Sequence, residues 1–126
     1  MAGSVLIVDD SPTIRGFARI FLSPLGVEIV EAEEGARALE LLRTNPPSVI
    51  VVDVNMPGMD GLTFTRELRA DPRPEIAGLP VVLLTGDRSE GIREQGRAAG
   101  CSDFIGKPIR GPELQAVVKK FRGLLP

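Results

Sequence analysis

Five short apolar runs punctuate the chain: Val5-Leu-Ile-Val8, Val27-Glu-Ile-Val30, Val49-Ile-Val-Val52, Val81-Val-Leu-Leu84 and a weaker Asp103-Phe-Ile105. Rich in β-branched residues and bounded by turn formers, they predict five strands. Between them the apolar spacing changes to that of a helix. Ile14, Phe17, Ala18, Phe21, Leu22 and Leu25 share one helical face, and Leu114, Val117, Val118, Phe121 and Leu125 repeat the pattern near the end. Ser11 is placed to cap the first helix with Pro12 at its first position, and Gly111-Pro112 opens the last. Gly26 and Gly100 stand where helices should stop.

The predicted strands start at 5, 27, 49, 81 and 103, a regular βα repeat broken by one longer interval. That interval contains residues 71–80, Asp-Pro-Arg-Pro-Glu-Ile-Ala-Gly-Leu-Pro, which reads as a loop. Strands that are continuously apolar and each followed by a helix predict a parallel sheet covered on both faces. The expected fold is α/β, a doubly wound five-stranded (βα)5 sandwich. The fourth long helix, near residues 89–99, is poorest in apolar residues, with Ile92, Ala98 and Ala99 only, and is expected to be the least firmly docked.

Composition narrows the chemistry. At 126 residues, 43% hydrophobic and 25% charged, the chain has the balance of one globular domain spanning 1–126. It contains no histidine, tryptophan or tyrosine and a single cysteine, Cys101. This excludes a Ser/His/Asp triad, an imidazole base, a histidine-ligated zinc and an internal disulfide. The net charge of −2 provides no reason to expect nucleic acid or an anionic membrane as partner. No apolar run approaches the ~18 residues of a membrane span, so the expectation is a soluble, cytoplasmic protein.

Ligands of open parallel sheets bind beyond the carboxyl ends of the strands. Strand one ends in Asp9-Asp10, strand three in Asp53-Val-Asn55, strand four in Thr85-Gly86-Asp87, and strand five runs into Gly106-Lys107-Pro108. Taken singly, each has a plain explanation: a solvated turn, a strand-end hydroxyl, a surface lysine. Together they bring three carboxylates, a hydroxyl and an ammonium to one edge. Clustered carboxylates repel unless a cation sits among them, and all-oxygen ligands favour a hard ion such as Mg²⁺. The first turn, Asp-Asp-Ser-Pro, is no glycine-rich phosphate cradle, which disfavours a flavin or dinucleotide. A carboxylate at such a site can attack phosphorus and become an aspartyl phosphate. Asp53, closing the middle strand, is the best nucleophile candidate, with Asp9 and Asp10 serving the metal and Lys107 and Thr85 stabilising the phosphoryl oxygens.

At these residues the sequence resembles the receiver domain of two-component response regulators, the chemotaxis-regulator fold. The resemblance is carried by Val8-Asp9-Asp10-Ser11, by Val51-Val-Asp53-Val-Asn-Met-Pro57-Gly-Met-Asp60-Gly61, by Leu84-Thr85-Gly86 and by Ala99-Gly100-Cys-Ser-Asp-Phe104-Ile-Gly-Lys107-Pro108. It implies the flavodoxin-like strand order 2-1-3-4-5. It implies that Asp53 accepts a phosphoryl group from a phosphohistidine of a sensor histidine kinase or histidine phosphotransfer protein. It also implies Mg²⁺ bound by Asp10, Asp53 and the main-chain carbonyl of Asn55, with Asp9 acting largely through water. Lys107 would bridge to the phosphoryl group and Thr85 would turn inward to bond it. Phe104 falls at the family's aromatic switch position, while a plain core aromatic on strand five is the alternative, since phenylalanine lacks the hydroxyl a tyrosine would offer in the exposed state. Lys107-Pro108 resembles the family's cis peptide. Cys101 stands where the family usually has a small residue and is read as packing.

The resulting expectation is a phosphoacceptor signalling domain rather than an enzyme, one that assists its own phosphorylation and dephosphorylation. Its output is a changed surface of the fourth helix, strand five and the last helix, read by an unknown partner, with Arg88, Arg93 and Arg97 expected on the fourth helix. The chain would be a monomer or a phosphorylation-dependent dimer, stand-alone or part of a longer protein. A phosphorylation-independent pseudo-receiver is the alternative. An aspartate-based phosphatase would want a second carboxylate where Asn55 stands. Lacking histidine, the chain itself can supply only the aspartate of a histidine-to-aspartate transfer.

Overall fold

The computed structural model describes residues 3–122. Five strands, β1 (Ser4–Val8), β2 (Glu28–Ala32), β3 (Val49–Asp53), β4 (Val81–Thr85) and β5 (Asp103–Gly106), form one sheet, all parallel, in the order β2-β1-β3-β4-β5. The helices are α1 (Pro12–Leu22), α2 (Gly35–Thr44), α3 (Gly61–Arg69), a short α4 (Pro74–Ala77), α5 (Glu90–Ala99) and α6 (Gly111–Arg122). The doubly wound fold expected from the alternation is therefore present, with one helix more than the apolar pattern announced.

Strand parity explains how one sheet feeds two cores. Side chains alternate across a strand, so Leu6, Val8, Ile50, Val52 and Leu83 face Ala38, Leu42, Phe64, Leu68 and Ala99 of α2, α3 and α5. Val5, Ile7, Val49, Val51, Val82 and Leu84 face Ala18, Leu22, Leu114 and Val118 of α1 and α6. Strands buried on both faces have no polar side to show, which is why they read as unbroken apolar runs.

Helix ends follow local chemistry. The Ser11 hydroxyl accepts from the Ile14 N–H at 3.2 Å with Pro12 in the first turn. Gly100 ends α5 at φ 100° and Gly26 ends a single 3₁₀ turn, Ser23–Leu25, at φ 67°, both left-handed conformations that glycine adopts without penalty.

Four expectations need correction. The stretch 71–80 is not simply a loop: Pro74–Ala77 is helical, because Ile76 is buried in the core and Pro74 stands at the first turn. The second strand runs Glu28–Ala32, shifted from the predicted Val27–Val30, since at the sheet edge the ladder with β1 decides the boundary. Phe17 is 47% exposed and lies off the core-facing stripe, stacked on Phe21 with ring centroids 6.1 Å apart. Arg88 precedes α5, whose N-cap is Ser89, rather than lying on it. Leu125, assigned to the last helical face, lies outside the described residues.

The apolar-poor α5 packs by small residues, with Gly96 and Ala99 buried against the sheet and α3. Arg69 completes this side of the molecule. Its guanidinium donates to the carbonyls of Gly100 at 2.8 Å, Ala77 at 2.8 Å and Leu79 at 2.7 Å, tying α3 to the 71–80 segment and to the end of α5. Among the described residues no helix is long and apolar enough to cross a membrane.

Candidate functional site

Four polar side chains are buried among the described residues, Asp9, Asp53, Thr65 and Thr85, and all but Thr65 sit at the carboxyl edge of the sheet. Burying a carboxylate is costly unless it is paired, so the local structure around each decides what it can do.

Asp9 follows β1 and continues its ladder, its N–H donating to the Ala32 carbonyl at 3.1 Å. Its Oδ1 accepts from the Ser11 N–H at 2.9 Å, so the turn that starts α1 also fixes this carboxylate. Its Oδ2 is fully buried and has no hydrogen-bond partner. Burial, reinforced by the neighbouring Asp53 charge and opposed by the Ser11 N–H, pushes the Asp9 carboxyl above its ordinary range. Asp10, one residue on, is exposed.

Asp53 closes the fully buried central strand β3. Its Oδ1 accepts from the Asn55 N–H at 3.1 Å and its Oδ2 from the Lys107 ammonium at 2.8 Å. The turn behind it is tight: a Cβ on Gly61 would lie 2.4 Å from the Asp53 carbonyl oxygen. Gly61 also donates its N–H to Val54 at 2.9 Å, and Asp60 caps α3 through Thr63. Only glycine allows α3 to start against the backbone that carries Asp53. Asn55 itself is exposed.

Lys107 directly follows β5, with a cis bond to Pro108, and its N–H donates to the Thr85 carbonyl at 3.0 Å. Its Nζ lies 2.8 Å from Asp53 Oδ2 and 3.7 Å from Asp9 Oδ2. Burial would lower its pKa, but the hydrogen bond to Asp53 and the two carboxylate charges outweigh it and hold the ammonium above its ordinary value. The Thr85 hydroxyl is engaged by the main chain of Asp87, accepting from its N–H at 3.0 Å and donating to its carbonyl at 3.2 Å. Phe104 is half-buried beneath α5, on the sheet face shared with Leu83.

The structure thus brings Asp9, Asp10, Asp53 and Lys107 into one cluster and joins Asn55 and Thr85 to it through main-chain bonds. One carboxylate oxygen from each of Asp9, Asp10 and Asp53 lies within 4.8 Å of the others. Of the three, Asp53 and Asp9 face the Lys107 ammonium, at 2.8 and 3.7 Å. An all-oxygen donor set with an unpartnered buried oxygen fits a hard divalent cation.

One contributor escaped the sequence reading. Arg15 donates to the main-chain carbonyl of Asp9 at 2.7 Å and to Glu31 at 2.9 Å, and Arg19 holds the other Glu31 oxygen. Arg15 therefore braces the turn bearing the two aspartates against the end of β2. A charged Glu31 within a strand otherwise rich in apolar residues was the available signal.

Comparison with known proteins decides the family. The family model for the response regulator receiver domain matches residues 5–119. The chain belongs to the response regulator receiver family. As a receiver domain it is a signalling domain whose family acts as phosphoacceptor in two-component systems. It is 38% identical over 118 residues to the sensor histidine kinase CheAY of Helicobacter pylori, covering 92% of this chain but only 14% of that protein. It is 32% identical over 123 residues to the polar-differentiation response regulator DivK of Brucella ovis, covering 98% of each. Among solved structures, the chemotaxis protein CheY4 of Vibrio cholerae superposes with a TM-score of 0.89 at 30% identity, covering 96% of this chain and 99% of that one. The receiver domain of a Pseudomonas aeruginosa sensor histidine kinase, with a magnesium ion coordinated in its active-site cleft, superposes at 0.86 with 28% identity over 98% and 99% of the two chains.

Proposed function

We propose that the chain is a single receiver unit over residues 1–126 that takes a phosphoryl group from a phosphohistidine of a sensor histidine kinase or histidine phosphotransfer protein onto Asp53. The observation that carries this reading is the Lys107 ammonium held 2.8 Å from a buried Asp53 oxygen, beside a second carboxylate whose Oδ2 has no partner. Lysine neutralises Asp53 and still leaves the cluster net negative, so the site is built for a further cation and, through it, for phosphate.

Asp10, Asp53 and the Asn55 carbonyl would hold Mg²⁺, with Asp9 acting through water. When bound, the ion supplies positive charge to the phosphoryl oxygens. An Asp53 oxygen attacks phosphorus in line, its new P–O bond forming as the P–N bond to the donor imidazole breaks, and the electron pair leaves with that nitrogen. Lys107 stays close and compensates the charge spread over the equatorial oxygens. The Thr85 hydroxyl, released from Asp87, donates to one of them. The vacated space lets Phe104 move, and the surface formed by α5, β5 and α6 changes for an output partner. The setting is cytoplasmic, without direct contact to nucleic acid or membrane, and the protein is a monomer or a phosphorylation-dependent dimer. A phosphorylation-independent module draws no support from a site in which all these groups converge.

The test is incubation with acetyl phosphate and Mg²⁺ followed by intact-mass measurement. The expected result is one labile phosphoryl group on the wild type and none on Asp53→Ala. No gain by the wild type, or equal gain by both, would overturn the assignment.

A further inference from the structure

Gly96 occupies the interior of α5, where glycine costs about 1 kcal/mol against alanine. Its surroundings explain its presence. A Cβ there would lie 2.6 Å from Cζ and 2.7 Å from Cε1 of Phe104, and 3.0 Å from Leu83 Cδ1. At Gly91, on the same helix, the nearest atom to such a Cβ is Ser89 Oγ at 3.7 Å. Gly96 is thus a notch that receives the Phe104 ring. One turn earlier, the Arg93 guanidinium covers that ring, 5.3 Å from its centroid, within the range of a cation–π contact. Beside the ring lies a cavity of about 220 Å³ lined by Phe104, Thr85, Arg88, Arg93 and Glu113 among others.

The ring therefore has two places available to it, the notch it fills and the cavity it shares with Thr85. We infer that Gly96 and Arg93 are positioning residues that set the resting place of Phe104 and thereby how readily Thr85 is released toward Asp53. With the ring in the notch, Thr85 keeps its bonds to the Asp87 main chain. A ring driven out of the notch moves into the cavity that Thr85 also lines and crowds it there. This inference rests on the phosphoacceptor reading above.

Gly96→Ala supplies the displacing methyl, and Gly91→Ala adds a methyl to the first turn of the same helix without touching the ring. With five phenylalanines and no other aromatic residues or histidine, the aromatic NMR spectrum contains five rings, and Phe104→Leu identifies the one of interest. In the unloaded protein, Gly96→Ala is expected to move the Phe104 resonances toward their position in wild type loaded with beryllium fluoride, a stable phosphoryl mimic. It should also raise the rate of loading by acetyl phosphate about fivefold or more, the scale of a small allosteric coupling. Arg93→Gln, which leaves the notch intact and cannot fail through overpacking, should move both readouts in the same direction by less. Gly91→Ala should move neither, and in a Phe104→Leu background Gly96→Ala should leave the loading rate unchanged.

Phe104 resonances that stay at the wild-type position in Gly96→Ala and Arg93→Gln, in a protein that loads normally, would overturn this inference alone. So would a loading effect shared by Gly91→Ala or persisting without the ring. A wild type that never loads would overturn the phosphoacceptor reading and this inference with it.

Discussion

Asp9→Asn should make the metal-free protein more stable. Asp9 is fully buried, its Oδ2 has no hydrogen-bond partner, and the nearest cation, Lys107 at 3.7 Å, is already committed to Asp53 at 2.8 Å. An unsatisfied buried polar group costs about 1–3 kcal/mol, more when charged, and here a like charge on Asp53 adds to the cost. Asparagine retains an oxygen to accept from Ser11 and replaces a negative charge facing Asp53 by an amide donor. The expected gain is about 1–3 kcal/mol, which for a chain of this size raises Tm by about 4–12 °C. Mg²⁺ should narrow the gap, since at about ten times Kd it stabilises the wild type by about 1.4 kcal/mol and the variant, whose cluster has lost a charge, by less. Thermal melts followed by far-ultraviolet circular dichroism, with EDTA and with Mg²⁺, read both effects; the absence of tryptophan excludes an indole signal. An Asp9→Asn protein less stable than wild type in EDTA, or an equal Mg²⁺ shift in both, would refute the reasoning.

Other outcomes follow from separate parts of the molecule. Gly16 lies within α1 with nothing within 4 Å of a Cβ, so Gly16→Ala should add about 0.5–1 kcal/mol in urea unfolding. Arg69→Met should lower stability by about 2–4 kcal/mol, because three main-chain carbonyls lose a charged donor at once; a change below about 0.5 kcal/mol would show that water replaces it. Hydrogen bonds from Arg19 and then Arg15 hold Glu31 below its ordinary 4.5. Its stabilisation is accordingly complete above that value and is lost as pH falls through the depressed folded value. The stability difference between wild type and Glu31→Gln, at most about 1 kcal/mol for such a partly exposed network, should shrink toward zero in acid. A difference that stays constant into strong acid would contradict the assignment.

Much of the site was legible because it is built from strand ends. Asp9, Asp53 and Thr85 directly follow apolar runs, Asp10 and Lys107 come one residue later, and the rule that parallel sheets bind at their carboxyl edge joins them without coordinates. Arg15 was invisible by the same logic: it lies within a helix, and its importance comes from a carbonyl and a glutamate that only the folded chain brings near. The short helix at Pro74–Ala77 was obscured by its prolines, which mark a loop and a helix start alike. Phe17 sits at a helical spacing shared with core residues, yet on α1 only Ala18 and Leu22 are buried and Phe17 stays exposed.

By itself the sequence determined the parallel alternation, the two-sided burial of the strands, the capped starts of the helices and an all-oxygen chemistry without histidine. These are local properties, set by side-chain period, by turn chemistry and by which atoms can donate or accept. Strand order was beyond the apolar pattern and came from resemblance to the family, because the pattern marks β2 and β5 as less apolar than the others but does not say which strand pairs with which. Tertiary structure alone decided which of two adjacent aspartates is buried, which carboxylate owns the shared lysine, where the Thr85 hydroxyl spends its bonds and why a helix carries Gly96. Each depends on distances between groups far apart in the chain, and burial and pairing energies are properties of those distances rather than of residue identity.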